Sequence, residues 1–135
     1  MKKLIVPVLL IISMQLQAQH KVEITINGIE ESKGTVLVAV YNSEETFMKK
    51  HVYSGKQKAS SKQVTVILEN VKPGEYAITT FHDENDNDKL DTNFMGMPKE
   101  LYGFSHDAKG SFGPPSFDKA KVNVNGDKKL VINLK

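Results

Sequence analysis

A chain of 135 residues with 39% hydrophobic and 7% aromatic content is the size of one domain with one small core, so a multidomain architecture is excluded. All 18 basic residues are Lys, and without Arg the usual bidentate donor to phosphate is missing, which argues against nucleic acid as the main ligand. No Cys is present, so neither disulfides nor thiol catalysis are available.

The first eighteen residues differ from the rest. Met1-Lys2-Lys3 is a positive start, Leu4 to Ile12 is an uninterrupted apolar run, and Leu16-Gln17-Ala18 ends on a small residue. That order predicts a signal peptide over 1–18, and the run is too short for a bilayer of ~30 Å. The expected product is an exported chain, periplasmic or extracellular, spanning 19–135 and not anchored in the membrane. Lys2 and Lys3 account for the formal charge of +2, so the remainder balances 16 Lys against 16 Asp and Glu.

Period-2 patterning dominates thereafter. Val22, Ile24 and Ile26 alternate with polar residues, as in a strand with one wet face. Thr35 to Tyr41 is apolar on both faces and predicts a central strand. Ser43 to Lys50 is the one segment with helical signals: a capping Ser, acidic residues first and Lys49-Lys50 last. A capped irregular turn is the alternative reading. A weaker extended stretch covers Val52 to Lys58, followed by strands around Val64 to Leu68 and Tyr76 to Phe81. The last two, at Val122 to Val124 and Leu130 to Leu134, flank Asn125-Gly126-Asp127, which reads as a hairpin turn. About seven short strands predict an antiparallel β-sandwich.

Between Phe81 and Ala120 lies a long stretch without periodicity. Connections of this length are functional or disordered, and Phe94, Tyr102, Phe104, Phe112 and Phe117 are too much aromatic surface for a solvated linker. The expectation is one long ordered loop folding back on the sandwich, its aromatics either filling the space beneath it or forming a carbohydrate platform.

That loop opens with His82-Asp83-Glu84-Asn85-Asp86-Asn87-Asp88-Lys89-Leu90-Asp91, five carboxylates against one Lys. Like charges this close repel, and order requires something to neutralise them. Counting from Asp83, side-chain oxygens fall at positions 1, 3, 5 and 9 as Asp83, Asn85, Asn87 and Asp91, with the backbone carbonyl of Lys89 at position 7. This is the spacing of the first three quarters of an EF-hand loop, in which a chain curling around a cation at ~2.4 Å points every second side chain inward. Asp88 stands where Gly would make the sharp turn, and Phe94 where a bidentate Glu would close the shell. The expected ligand is therefore a structural Ca²⁺, bound weakly. The competing reading is a solvated acidic turn with local Asx bonds; Asp86 or Asp88 would enter the shell if the register slipped by one.

Other constellations carry less. His82 beside Asp83 reads as a hydrogen-bonding or second-layer group, or as the base of a small envelope hydrolase. Ser105-His106-Asp107 lists three triad residues, but neighbours in sequence cannot face one another as a triad requires. Asp91, Glu100 and Asp118 could furnish paired carboxylates, with nothing to mark two of them.

From His-Asp-Glu-Asn at His82 through Lys-Leu-Asp-Thr-Asn-Phe, Gly-Met-Pro-Lys-Glu and Tyr-Gly-Phe-Ser to Phe-Gly-Pro-Pro-Ser-Phe ending at Phe117, the chain resembles the DUF2141 family of exported bacterial proteins. Leu68 to Ile78 is similar to that family too, and more loosely to transthyretin-like and carboxypeptidase-regulatory sandwiches. The resemblance implies an immunoglobulin-like (transthyretin-like) β-sandwich and no established activity. In the family the acidic loop typically has Gly where this chain has Asp86 and Asp88. The expectation is then an exported, monomeric binding or scaffolding module at the envelope, with an envelope protein or glycan as partner. A metal-free adhesion module is the further alternative.

Overall fold

The computed structural model describes residues 19–135; the expected signal peptide, 1–18, lies outside the described residues. Eight strands follow one another: β1 (His20–Asn27), β2 (Thr35–Tyr41), β3 (Tyr53–Lys58), β4 (Gln63–Val71), β5 (Gly74–Asp83), β6 (Tyr102–Phe104), β7 (Lys121–Val124) and β8 (Lys128–Asn133). Among the described residues one short helix, α1 (Phe117–Ala120), precedes β7, and a single 3₁₀ turn spans Ser105–Asp107.

The strands form two sheets. The smaller runs β4-β1-β8; the larger runs β3-β2-β5, with the far edge of β5 shared between β7, opposite Gly74 to Ala77, and β6, opposite Thr79 to Phe81. Their inner faces meet through the alternating residues of the sequence. Val22, Ile24, Ile26, Val64, Val66, Leu68 and Ile132 of one sheet pack with Val36, Val38, Val40, Ile78, Val122 and Val124 of the other. This is a β-sandwich, and the period-2 pattern is its cause: each strand offers one apolar face to a shared core. The sheets approach closely at Gly55, where an added Cβ would sit 2.8 Å from Val66 Cγ1.

Two expectations are corrected. The sandwich is not wholly antiparallel, because β8 pairs with β1 in parallel, Val22 opposite Lys128 through Asn27 opposite Asn133. The turn at Asn125-Gly126-Asp127 is therefore not a hairpin: β7 belongs to the larger sheet and β8 to the smaller, so the turn carries the chain between layers. The Asp127 carboxylate accepts the Lys21 N–H at 2.9 Å and ties this corner to the start of β1. Of the two readings of Ser43 to Lys50, the capped irregular turn is the one that forms. Ser43 Oγ still accepts the Thr46 N–H at 3.3 Å, so the cap exists, but a Met48 φ of 62° breaks the helical path.

On its outer face the larger sheet carries a second, smaller core. Ala77, Phe104, Phe117 and Ala120 are buried there, with Phe47 of the capped turn packed edge-on against Tyr41, Phe104 and Phe117 at centroid distances of 5.5, 6.4 and 6.0 Å. Phe104 and Phe117 thus fill space beneath the long connection. Phe94 and Phe112 do not; they are 98% and 105% exposed.

Candidate metal centre

The acidic loop leaves the end of β5 and returns at β6, and its two roots are held together. The His82 N–H donates to the Leu101 carbonyl at 2.9 Å, and the Lys99 N–H to the Asp91 carbonyl at 2.8 Å. Between them stands Glu100, buried at 7% exposure. Its Oε2 accepts the Glu84 N–H at 2.7 Å and its Oε1 the Asp91 N–H at 2.9 Å, so one carboxylate clamps both ends of the loop. The sequence carries no spacing that marks this role; Glu100 stands there as one acidic residue among several.

Within the loop, the five expected ligands fall into two linked groups. Asp83, fully buried on the last residue of β5, accepts the N–H of Asn87 at 3.2 Å and of Asp88 at 2.7 Å. Those two bonds curl the chain back over the strand end. The curl needs left-handed backbone, and Asp86 (φ 53°) and Asp88 (φ 60°) supply it, as the place of Asp88 at the sharp turn requires. The second group surrounds Asp91. Asn85 Nδ2 donates to its Oδ2 at 2.6 Å and Asn87 Nδ2 to its Oδ1 at 2.7 Å, while Asn87 Oδ1 accepts the Lys89 N–H at 3.0 Å. Asn87 touches both groups. Lys89 is engaged through its N–H.

Neutral donors therefore meet much of the crowded charge. Thr35 Oγ1 donates to Asp86 Oδ1 at 2.7 Å, and the Lys33 ammonium lies 3.8 Å from Glu84 and 2.8 Å from Glu31. The hydrogen bond and charge of Glu31, and then Glu84, hold the Lys33 ammonium above the ordinary lysine range. Among the described residues no three carboxylate or imidazole groups converge as a metal cluster. The convergence that exists is two side-chain amide NH₂ groups on the Asp91 carboxylate, with the Asp83 carboxylate linked to it through Asn87. Asp83 spends two of its roughly four lone-pair positions on N–H groups and keeps acceptor capacity.

A model described as an uncharacterized protein conserved in bacteria, DUF2141, matches residues 24–133, from the core of β1 to the end of β8. The chain belongs to DUF2141. No curated protein and no solved structure matches it.

His82 of this DUF2141 chain is fully buried on the core side of β5. Its Nε2 lies 2.7 Å from the Lys33 carbonyl, and its Nδ1, without a hydrogen-bond partner, lies 4.0 Å from Glu84. A ring so enclosed bonds a loop carbonyl and offers no face to a substrate in solution. Ser105, His106 and Asp107 point apart: Ser105 bonds the Ile78 backbone, His106 Nε2 lies 2.9 Å from the Lys121 carbonyl, and Asp107 bonds Asn133. Beside the acidic loop, Asp88 and Leu90 wall one end of a trough of about 710 Å³ on the outer face of the larger sheet. Its floor includes Leu37 and Phe81, and Met48 closes the other end.

Proposed function

We propose that this DUF2141 chain is an exported envelope module that binds or scaffolds rather than catalyses, and that a structural Ca²⁺ sits in its 83–91 loop. Asp83 and Asp91 supply the charged ligands, Asn85 and Asn87 neutral oxygens, and Lys89 its backbone carbonyl. The observation that carries this reading is the meeting of the Asn85 and Asn87 amides on both oxygens of Asp91, at 2.6 and 2.7 Å. Terminal amide torsions are broad and two-fold, so a half-turn of Asn85 exchanges its NH₂ for its carbonyl oxygen at the same place, while the same turn of Asn87 gives up its bond from the Lys89 N–H. A divalent ion among these groups reverses the sign of their interaction, turning mutually repelling oxygens into a shared shell. The ion's effect is to stiffen the loop that roots the long connection and walls the outer trough.

The export part of the proposal is supported by the order of residues in 1–18, a Lys2-Lys3 start, an apolar run and a small residue at Ala18. Binding rather than catalysis is supported by the enclosure of His82 and the dispersal of Ser105, His106 and Asp107. The test is a titration of metal-free protein with Ca²⁺, followed by calorimetry and thermal melting. Saturable binding with a dissociation constant on the order of 10⁻⁴ to 10⁻³ M is expected, together with a rise in melting temperature that EGTA reverses and Asp91→Ala removes. Absence of both heat and thermal shift in the parent protein refutes the ion.

A further inference from the structure

Two apolar features of this chain have no counterpart among the described residues. The first is the tip of the long connection. Thr92 and Pro98 form an antiparallel bridge, and Asn93 stitches the turn between them. Its N–H donates to the Met97 carbonyl at 2.8 Å, and its carbonyl accepts the Gly96 N–H at 2.9 Å. Its Oδ1 accepts the N–H groups of Met95 at 2.9 Å and of Met97 at 3.1 Å. Gly96 completes the turn at φ +80°, a region open to a residue without a Cβ. So fixed, the turn carries Phe94, Met95 and Met97 into solvent at 98%, 71% and 60% exposure.

The second feature is the trough of about 710 Å³ on the outer face of the larger sheet. Leu37 of β2 and Phe81 of β5 are direct register partners on its floor, and both are only half-buried. Met48, at the far end, is set there by left-handed backbone (φ 62°), which a side chain of its size rarely adopts. His51, Lys56 and Asp88 also line the trough; all three are exposed and of both signs, so the apolar floor rather than charge decides what fits. Leu90 walls the near end, and Phe94 follows four residues later, at most ~14 Å along the chain. Tip and trough are therefore neighbours on one molecule.

We propose that a second copy of this chain fills the trough: two molecules pair about a two-fold axis, and the Phe94, Met95 and Met97 tip of each lies in the trough of the other. Because tip and trough are neighbours, an axis passing between them lets both insertions form at once, and assembly closes at two. The area suffices. Three side chains of this size bury roughly 400 Å² per tip, and with the trough surface covered in return two insertions reach about 1,600 Å², the standard for a specific complex. The stitched turn has little freedom left to lose, so the ordering cost of binding is low. A lipid surface would cover the tip and leave the trough open; a second copy covers both.

The pairing needs no ion, so it stands apart from the calcium site. The experiment is sedimentation equilibrium of the untagged protein in EGTA, from about 1 μM to about 1 mM. A monomer–dimer equilibrium is expected, with a dissociation constant on the order of 10–100 μM. Phe94→Ser, at a position 98% exposed, keeps the fold and should raise that constant at least ~100-fold, because each dimer loses two buried rings. Leu37→Thr in the trough should act in the same direction, and Met48→Asn is the second trough variant should Leu37→Thr disturb the sheet. Mixing is the sharper arm. A Phe94→Ser molecule keeps a working trough and a Leu37→Thr molecule a working tip, so their heterodimer holds both defects in one insertion and keeps the other. It should form about ten-fold more tightly than either variant pairs with itself. A parent that stays monomeric to about 1 mM, a dimer indifferent to Phe94→Ser, a mixture no tighter than its components, or growth beyond the dimer overturns the proposal. So does a monomer that binds phosphatidylethanolamine–phosphatidylglycerol vesicles through Phe94, which would give the tip to a lipid surface. With calcium absent throughout, failure here and failure of the calcium titration are read separately.

Discussion

Replacing Glu100 measures how much the root of the acidic loop depends on a single carboxylate. The side chain accepts two backbone N–H groups, Glu84 at 2.7 Å and Asp91 at 2.9 Å, and is 7% exposed. A hydrogen bond to a charged group contributes ~1.5–3 kcal/mol, so the pair amounts to roughly 3–6 kcal/mol. Glu100→Ala opens space beside the loop root through which water reaches the freed donors, and the expected net loss is about 2–4 kcal/mol. At roughly 3–5 °C per kcal/mol for a domain of this size, the melting temperature falls by about 6–20 °C. Glu100→Gln keeps one acceptor and presents an NH₂ to the other donor, so about half the loss is expected. Urea denaturation with an unchanged m-value gives the energies, and hydrogen exchange at the Glu84 and Asp91 amides shows whether the right bonds were lost. A Glu100→Ala protein within ~0.5 kcal/mol of the parent, the range of an ordinary surface substitution, refutes the clamp.

Gly34 has φ +70°, and an added Cβ would collide with the Asp83 carbonyl and sit 2.8 Å from Glu84 Cα. Gly34→Ala should cost at least ~2 kcal/mol, from left-handed strain plus displacement of the strand end; a melting temperature equal to the parent's contradicts the contact. Tyr76, whose hydroxyl donates to the Lys72 carbonyl at 2.6 Å, has its phenol pushed up to about 12, first by burial and then by Tyr53. The folded state thus holds this proton more tightly than the unfolded chain, whose tyrosines titrate near ~10. The stability it contributes is complete below that value and is lost as pH rises toward 12. Ultraviolet titration should show one tyrosine ionising late, and Tyr76→Phe should flatten the alkaline decline in stability; an unchanged decline refutes the assignment.

The strands were legible because an alternating apolar face is a local property, visible in Val22, Ile24 and Ile26 or Val64, Val66 and Leu68 without knowledge of partners. Pairing is not local. Asn125-Gly126-Asp127 has hairpin chemistry, yet its flanking strands separate into different sheets, because β7 finds the free edge of β5 and β8 the free edge of β1. The three residues of β6 escape a periodicity reading because Gly103 interrupts them; it is Gly since a Cβ there would lie 2.7 Å from Ile132 Cγ2. In the acidic loop the left-handed Asp88 stands at the position where a Gly would make the sharp turn, and the local bonds to Asp83 and Asn87 are those of the Asx-turn reading, both being matters of chain geometry over a few residues. The Glu100 clamp was hidden because a carboxylate that bonds backbone N–H groups leaves no trace in the identity of its partners.

The parallel pairing of β8 with β1 bears on how the molecule comes to be. The second strand to flank β1 is the last in the chain, and its partners lie 106 positions apart in sequence. Loop closure over such a separation has to precede the contacts that reward it, so the smaller sheet cannot be finished until residues 128–133 are available. Until then β1 presents a bare row of N–H and C=O groups, an invitation to another unfinished copy.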